Sequence, residues 1–252
     1  MTITDRTPAT RRAPMSPTRK ISLVAGALYL LTFVSIPTLA LYGPVSDPNF
    51  ITGAGPDTPI IIGGILEIIV ALAGIGTAVA LFPVVRRQNE GLALGVVAAR
   101  VFEAAAMFAG VVCLLALVTL RQAGLGAGSV PTGLALASLH NWFFMAQNLM
   151  PAANALMLGT LMYKSRLVPR ALPIMGFIGA PLLIVSTFAT ILGLNEQVSA
   201  WSGLSALPVA AWELSLGIWL AFKGFKPSPI TAGMDAAKGA ARNPAAYRRA
   251  AS

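Results

Sequence analysis

The chain has 252 residues, of which 56% are hydrophobic and only 11% charged, and its mean hydropathy is +0.75; soluble domains carry about 25% charged residues. This content excludes intrinsic disorder over most of the length, and Cys113 as the one cysteine excludes a disulfide scaffold. The few charges sum to +9, with a pI of about 10.5, so what the basic excess means depends on where it lies.

A hydrocarbon core about 30 Å thick takes roughly 20 apolar residues to cross as a helix. Six runs qualify: Ile21 to Tyr42, Pro59 to Val85, Leu92 to Leu120, Leu134 to Tyr163, Ala171 to Leu194 and Gly203 to Phe222. The third and fourth are longer than a crossing needs, which predicts tilt or protruding ends. Pro37, Pro151, Pro181 and Pro208 fall inside runs one, four, five and six, where each frees a backbone carbonyl and is expected to kink its helix. Residues 1–19 and 227–252 lack the apolar content for a core, which predicts disordered basic tails around a transmembrane domain at 20–226. The first run exceeds a signal-peptide h-region of about 7–15 residues and no convincing cleavage site follows it, so it is expected to persist as a span.

The connections alternate in charge. Arg6, Arg11, Arg12, Arg19 and Lys20 precede the first run; Arg86 and Arg87, then Lys164, Arg166 and Arg170, occupy the second and fourth connections; Lys223, Lys226, Lys238, Arg242, Arg248 and Arg249 follow the last run. The intervening connections hold Asp47 and Asp57, then Arg121, then Glu196. Every base except Arg100 and Arg121 thus falls on the side of the termini. The expected fold class is all-α: a polytopic six-helix transmembrane bundle with both termini cytoplasmic, since basic loops stay inside. The expected partners are the lipid bilayer and anionic lipid at the cytoplasmic face. Nucleic acid is not expected, because no basic cluster is interleaved with stacking aromatics.

Ionisable side chains at bilayer depth are costly and mark functional positions by default. Here they are Glu67, Arg100, Glu103, His140 and Glu213. Arg100 and Glu103 share a helix face at a spacing of three. Both Arg100 and Glu213 lie about 15 Å from the cytoplasmic ends of their helices, at 1.5 Å per residue. Glu67 lies roughly 12 Å below Pro59 on the outer side, and His140 enters from that side. Three carboxylates face one guanidinium, so at least one Glu is expected to be protonated or hydrated by a cavity. His140, Gln147 and Asn154, seven apart, form a polar stripe on the fourth run.

Absences narrow the enzymatic readings. One histidine cannot make a His-x-x-x-His zinc pair, and no phosphate-binding loop or Gly-rich dinucleotide fingerprint is present. No serine sits in a nucleophile-elbow pattern, and no Cys or Met/His arrangement matches haem or iron–sulfur ligation. No cofactor and no metal are expected.

Several local patterns occur in order along the chain. They are Asp47-Pro48-Asn49-Phe50, Leu66-Glu67, and the stretch from Ala80-Leu81-Phe82-Pro83-Val84-Val85-Arg86-Arg87-Gln88-Asn89-Glu90 to Leu92-Ala93-Leu94-Gly95. Arg100-Val101-Phe102-Glu103, Ser165-Arg166-Leu167-Val168-Pro169-Arg170, Glu213 and Trp219-Leu220-Ala221-Phe222-Lys223-Gly224-Phe225 follow. Together they resemble a bacterial family of six-helix membrane proteins, the domain of unknown function 4386 family, over about residues 20 to 228. The family's fourth helix often opens with an Arg-Asp pair before an aromatic; here the place reads His140-Asn141-Trp142. The resemblance implies a topology and a bacterial cell membrane, but no activity.

Three readings follow in order. In the first, a small solute or proton is handled at a midplane polar site built from Arg100, Glu103, Glu213 and Glu67, with His140 at its outer end. In the second, the buried charges only fix helix packing in a structural or interaction protein. A membrane enzyme is third.

Overall fold

The computed structural model describes residues 15–47, 49–53 and 55–234, and among these it is helical without strands. The helices are α1 (Pro17–Thr32), α2 (Thr38–Leu41), α3 (Thr58–Val85), α4 (Glu90–Gln122), α5 (Val130–Gln147), α6 (Leu149–Ser165), α7 (Ala171–Ile191) and α8 (Ala200–Phe222). Of these, α3, α4, α7 and α8 are long and apolar enough to cross a membrane. They coincide with the second, third, fifth and sixth apolar runs.

Runs one and four are not continuous helices. The first breaks after Thr32 into a 3-10 turn at Phe33–Ser35 and then the short α2. Pro37 explains the break: it lacks an N–H and its ring crowds the carbonyl of Phe33. Hydroxyls take up part of the released backbone capacity, as Thr32 donates to Tyr29 O at 2.7 Å, Ser35 to Thr32 O at 3.0 Å and Thr38 to Ser35 O at 2.6 Å. The fourth run breaks at Asn148, between α5 and α6, where Pro151 denies an N–H to the Gln147 carbonyl. Pro181 and Pro208, by contrast, lie inside unbroken α7 and α8. A Cβ on Gly179 would come within 2.9 Å of Pro208 Cβ, so the missing side chain makes room for the proline ring.

Order extends further at both ends than hydropathy implies. Ser16 caps α1 by accepting from Arg19 N at 3.2 Å, with Pro17 next in line, a helix-start signature independent of apolar content. At the other end, residues 229–234 are helical, with Thr231 buried and Ile230 and Met234 on the core. The rest of the expected tails, residues 1–14 and 235–252, lies outside the described residues.

The helices close into a ring. α1 packs on α3, α3 on α4, α4 on α5 and α6, α6 on α7, α7 on α8, and α8 returns to α1. The last contact is close because it is made through glycines: a Cβ on Gly26 would sit 2.3 Å from Ala221 N, and one on Gly217 would sit 2.9 Å from Tyr29 Cβ.

The base-rich connections gather at one end of the ring. There Arg19 donates to the carbonyls of Leu220 at 3.0 Å and Ala221 at 2.6 Å, which lack helical partners at the C-terminus of α8. Lys226 N donates to Leu167 O at 2.8 Å, Ser228 to Ser165 O at 3.0 Å and Arg87 to Ile230 O at 3.5 Å. Leu167 and Val168, from the connection after α6, are buried in the large core at that end. At the opposite end Phe50, Ile51, Ile60, Leu114, Leu117 and Val118 form a smaller core. Here Arg121 pairs with Asp57, Gln122 donates to Asp57 Oδ2 at 3.0 Å, and the Arg121 guanidinium lies 4.5 Å from the centre of the Phe50 ring. The outward faces are apolar: Val101 and Phe102 are 47% and 53% exposed, while their neighbour Arg100 is 3% exposed. That inversion suits lipid outside and a polar interior.

Candidate functional site

The centre of the ring is polar because α4 turns Arg100 and Glu103 inward together. Arg100 Nη1 donates to Glu103 Oε2 at 2.8 Å, and Nη2 donates to Glu213 Oε1 of α8. The guanidinium carbon lies 5.5 Å from the centre of the Tyr29 ring of α1. One guanidinium thus ties together three helices. Its fork geometry allows two carboxylates to be served at once, which leaves one formal negative charge if both are ionised. Arg100 Nε is buried without a hydrogen-bond partner.

A cavity of about 300 Å³ adjoins this cluster. Arg100, Glu103 and Glu213 line it, and so do both helix breaks: Thr32, Phe33, Ser35 and Ile36 on one side, and Gln147, Asn148 and Pro151 on the other. The 17 residues of α6 put the second break about 26 Å from the base-rich end. Two separate interruptions of regular helix therefore open into the same polar space.

A second cavity, of about 270 Å³, lies on the side of Asp57 and Arg121. Glu67, Tyr42, His140, Asn141, Phe144 and Gln197 contribute to its wall. Glu67 is 4% exposed and, among the described residues, has no ion-pair partner. The Tyr42 side chain interacts with Glu67, but its hydroxyl lies outside hydrogen-bonding geometry. Tyr42 meets the His140 ring edge-on, with centroids 5.4 Å apart at 81°. His140 Nδ1 is 3.2 Å from Gly110 O; a carbonyl only accepts, so Nδ1 carries the proton. Gly63 and Gly110 make this packing possible, since a Cβ would lie 2.4 Å from Tyr42 Cε1 and 3.2 Å from His140 Nδ1 respectively.

Phe144 lines both cavities, and it borders the narrow gap between them together with Glu67, Met107, His140 and Gln147. Among the described residues, no three His, Cys, Asp or Glu side chains gather as metal ligands would.

A model of the family described as domain of unknown function (DUF4386) matches residues 24–224. The chain belongs to that family. No curated protein and no solved structure matches it. In this DUF4386 chain the matched region spans all eight helices apart from the first two turns of α1, and it includes every residue of both cavities.

The five ionisable positions singled out from the DUF4386 sequence are all inward, but they divide into two groups. Arg100, Glu103 and Glu213 meet in the inner cavity; Glu67 and His140 lie in the outer one. The polar stripe divides too: His140 faces the outer cavity, Gln147 the inner one and the gap, and Asn154 is buried in α6 with neither amide atom hydrogen-bonded. Sequence reasoning missed Tyr29, Tyr42 and Phe144. Each is an aromatic within an apolar run, and of the three only Phe144, four residues after His140, carries a spacing signal.

Proposed function

We propose that the protein spans the bacterial cytoplasmic membrane six times with both termini in the cytoplasm, and that it handles a small solute or a proton at the Arg100–Glu103–Glu213 cluster. The observation that carries this reading is the convergence of two broken helices on one charged cavity. Non-helical backbone at membrane depth persists where it lines a water-filled cavity or is buried in protein, and interrupted helices form the binding sites of many transporters. Six crossings follow if α1 with α2, and α5 with α6, each count as one interrupted span. The gathering of basic connections at one ring end supports the orientation, with that end facing anionic lipid.

Reagent access tests the reading. In a Cys113→Ala background, Ala104→Cys and Gln147→Cys both line the inner cavity, whereas Val101→Cys faces outward. A charged, water-soluble thiol reagent is expected to modify the first two in membrane vesicles and to spare the third. A thermal-shift screen of small polar metabolites is then expected to find a compound that stabilises the natural protein but not Glu103→Gln or Glu213→Gln. If both cavity cysteines resist the reagent, the cluster is a packing device and the structural reading takes its place.

A further inference from the structure

We infer that the outer cavity binds a small organic ammonium ion, with Glu67 as its counter-charge and Tyr42, His140 and Phe144 as its aromatic wall. This goes beyond the solute reading of the inner cavity and does not rest on it.

Burying a carboxylate without a partner is costly, and the other carboxylates in or beside the ring are served: Glu103 and Glu213 by Arg100, and Asp57 by Arg121. Glu67 alone faces a cavity with no lysine or arginine among the described wall residues. A cation entering that space supplies what the fold withholds.

Wall chemistry narrows the kind of cation. Three aromatic side chains and one carboxylate form the recurring environment of alkylammonium groups, where ring quadrupoles attract a weakly hydrated charge. A hard metal ion is usually held by more than one carboxylate among several oxygen ligands, whereas Glu67 is the one carboxylate among the described wall residues. The volume of about 270 Å³ lies just below the range of drug-sized pockets, about 300–1,000 Å³, so the occupant is small. Gly63 and Gly110 keep the space by letting Tyr42 and His140 lie flush against α3 and α4.

The test uses the full chain in lipid nanodiscs, titrated calorimetrically with tetramethylammonium chloride and, in parallel, with 2-methylpropan-2-ol, a neutral alcohol of the same heavy-atom count and shape. Tetramethylammonium is expected to bind saturably and the alcohol not to bind. Glu67→Gln is expected to weaken binding by about tenfold or more, as loss of a charged partner does. Phe144→Leu and Tyr42→Leu are expected to weaken it by about threefold to tenfold each. Absence of saturable binding, equal binding of the alcohol, or unchanged affinity in Glu67→Gln overturns the inference. If Glu67→Gln does not elute as a folded species, the two aromatic variants decide, and unchanged affinity in both overturns it. Reagent access at Ala104→Cys and Gln147→Cys is a separate readout, so this proposal and the inner-cavity reading can fail independently.

Discussion

Arg100 and Glu213 are 113 residues apart in the chain and joined through a guanidinium–carboxylate contact in the middle of the ring. Their helices, α4 and α8, are not packed neighbours. The contact therefore crosses the interior instead of sealing a seam between adjacent helices. Breaking a buried ion pair by removing one partner costs about 3–5 kcal/mol. Arg100→Ala is expected to lower the thermal midpoint in detergent by on the order of 10 °C. Replacing all three charges together, Arg100→Leu with Glu103→Gln and Glu213→Gln, is expected to restore at least half of that loss. A triple variant no more stable than Arg100→Ala would show that lost packing, not unpaired charge, is the cause.

The approach of α1 to α8 is set by backbone, not side chains. A Cβ at Gly26 would meet Ala221 N at 2.3 Å, a position with no flexible atom to move aside. Gly26→Val is expected to push the two helices apart and to destabilise by about 1–3 kcal/mol, as overpacking does. It should also loosen the Arg19 contacts to Leu220 and Ala221. Scanning fluorimetry reads the first effect, and faster hydrogen exchange near residues 222–226 reads the second.

Pro151 maintains the break between α5 and α6. Pro151→Ala supplies the N–H that the Gln147 carbonyl lacks. The expected result is slower amide exchange across 147–152 and a higher thermal midpoint, since a helix interior favours Ala over Pro by about 3 kcal/mol. Unchanged exchange there would mean that packing, not the proline, holds the break.

The Asp57–Arg121 clasp holds the long connection between α2 and α3. Its side chains are 7% and 21% exposed, so Asp57→Asn, which leaves the Arg121 charge without its partner, is expected to destabilise by about 1–3 kcal/mol. The effect should be largest locally: hydrogen exchange over residues 49–57 should quicken more than in α4.

Orientation is checked at the two ends of α4. In a Cys113→Ala background, an impermeant thiol reagent applied to intact cells is expected to label Ala123→Cys. Gly91→Cys should react only after permeabilisation. The reverse pattern would invert the topology.

Much of this was legible in the sequence, for physical reasons that differ by residue. Hydropathy located α3, α4, α7 and α8 because each is a long uninterrupted apolar run. The spacing of Arg100 and Glu103 fixed their shared face, and similar depth brought Glu213 to them. The two helix breaks were less legible because four prolines looked alike. What separates them is context: Pro37 is followed and preceded by hydroxyls that accept the role of backbone partners, and Pro208 lies against the space left by Gly179. The division of the polar residues into two groups was not legible either. Phe144 lies at the boundary, and a neutral aromatic in an apolar run carries no charge signal. The Ser16-Pro17 helix start was present in the chain but lies outside what a hydropathy window measures.

The two ends of the ring are tied unequally, and this has a mechanical consequence. At the base-rich end, segments distant in sequence are cross-laced through Arg19, Lys226, Ser228 and Arg87. At the other end the described ties are local: Asp57 with Arg121 and Gln122 bridges α3 and α4, and Asn195, Ser199 and Ser202 lace the short connection between α7 and α8. A barrel of staves hooped firmly at its base and lightly at its rim yields first at the rim. Any rocking of these helices should therefore pivot near the base-rich end, and the largest excursions should fall beside Glu67.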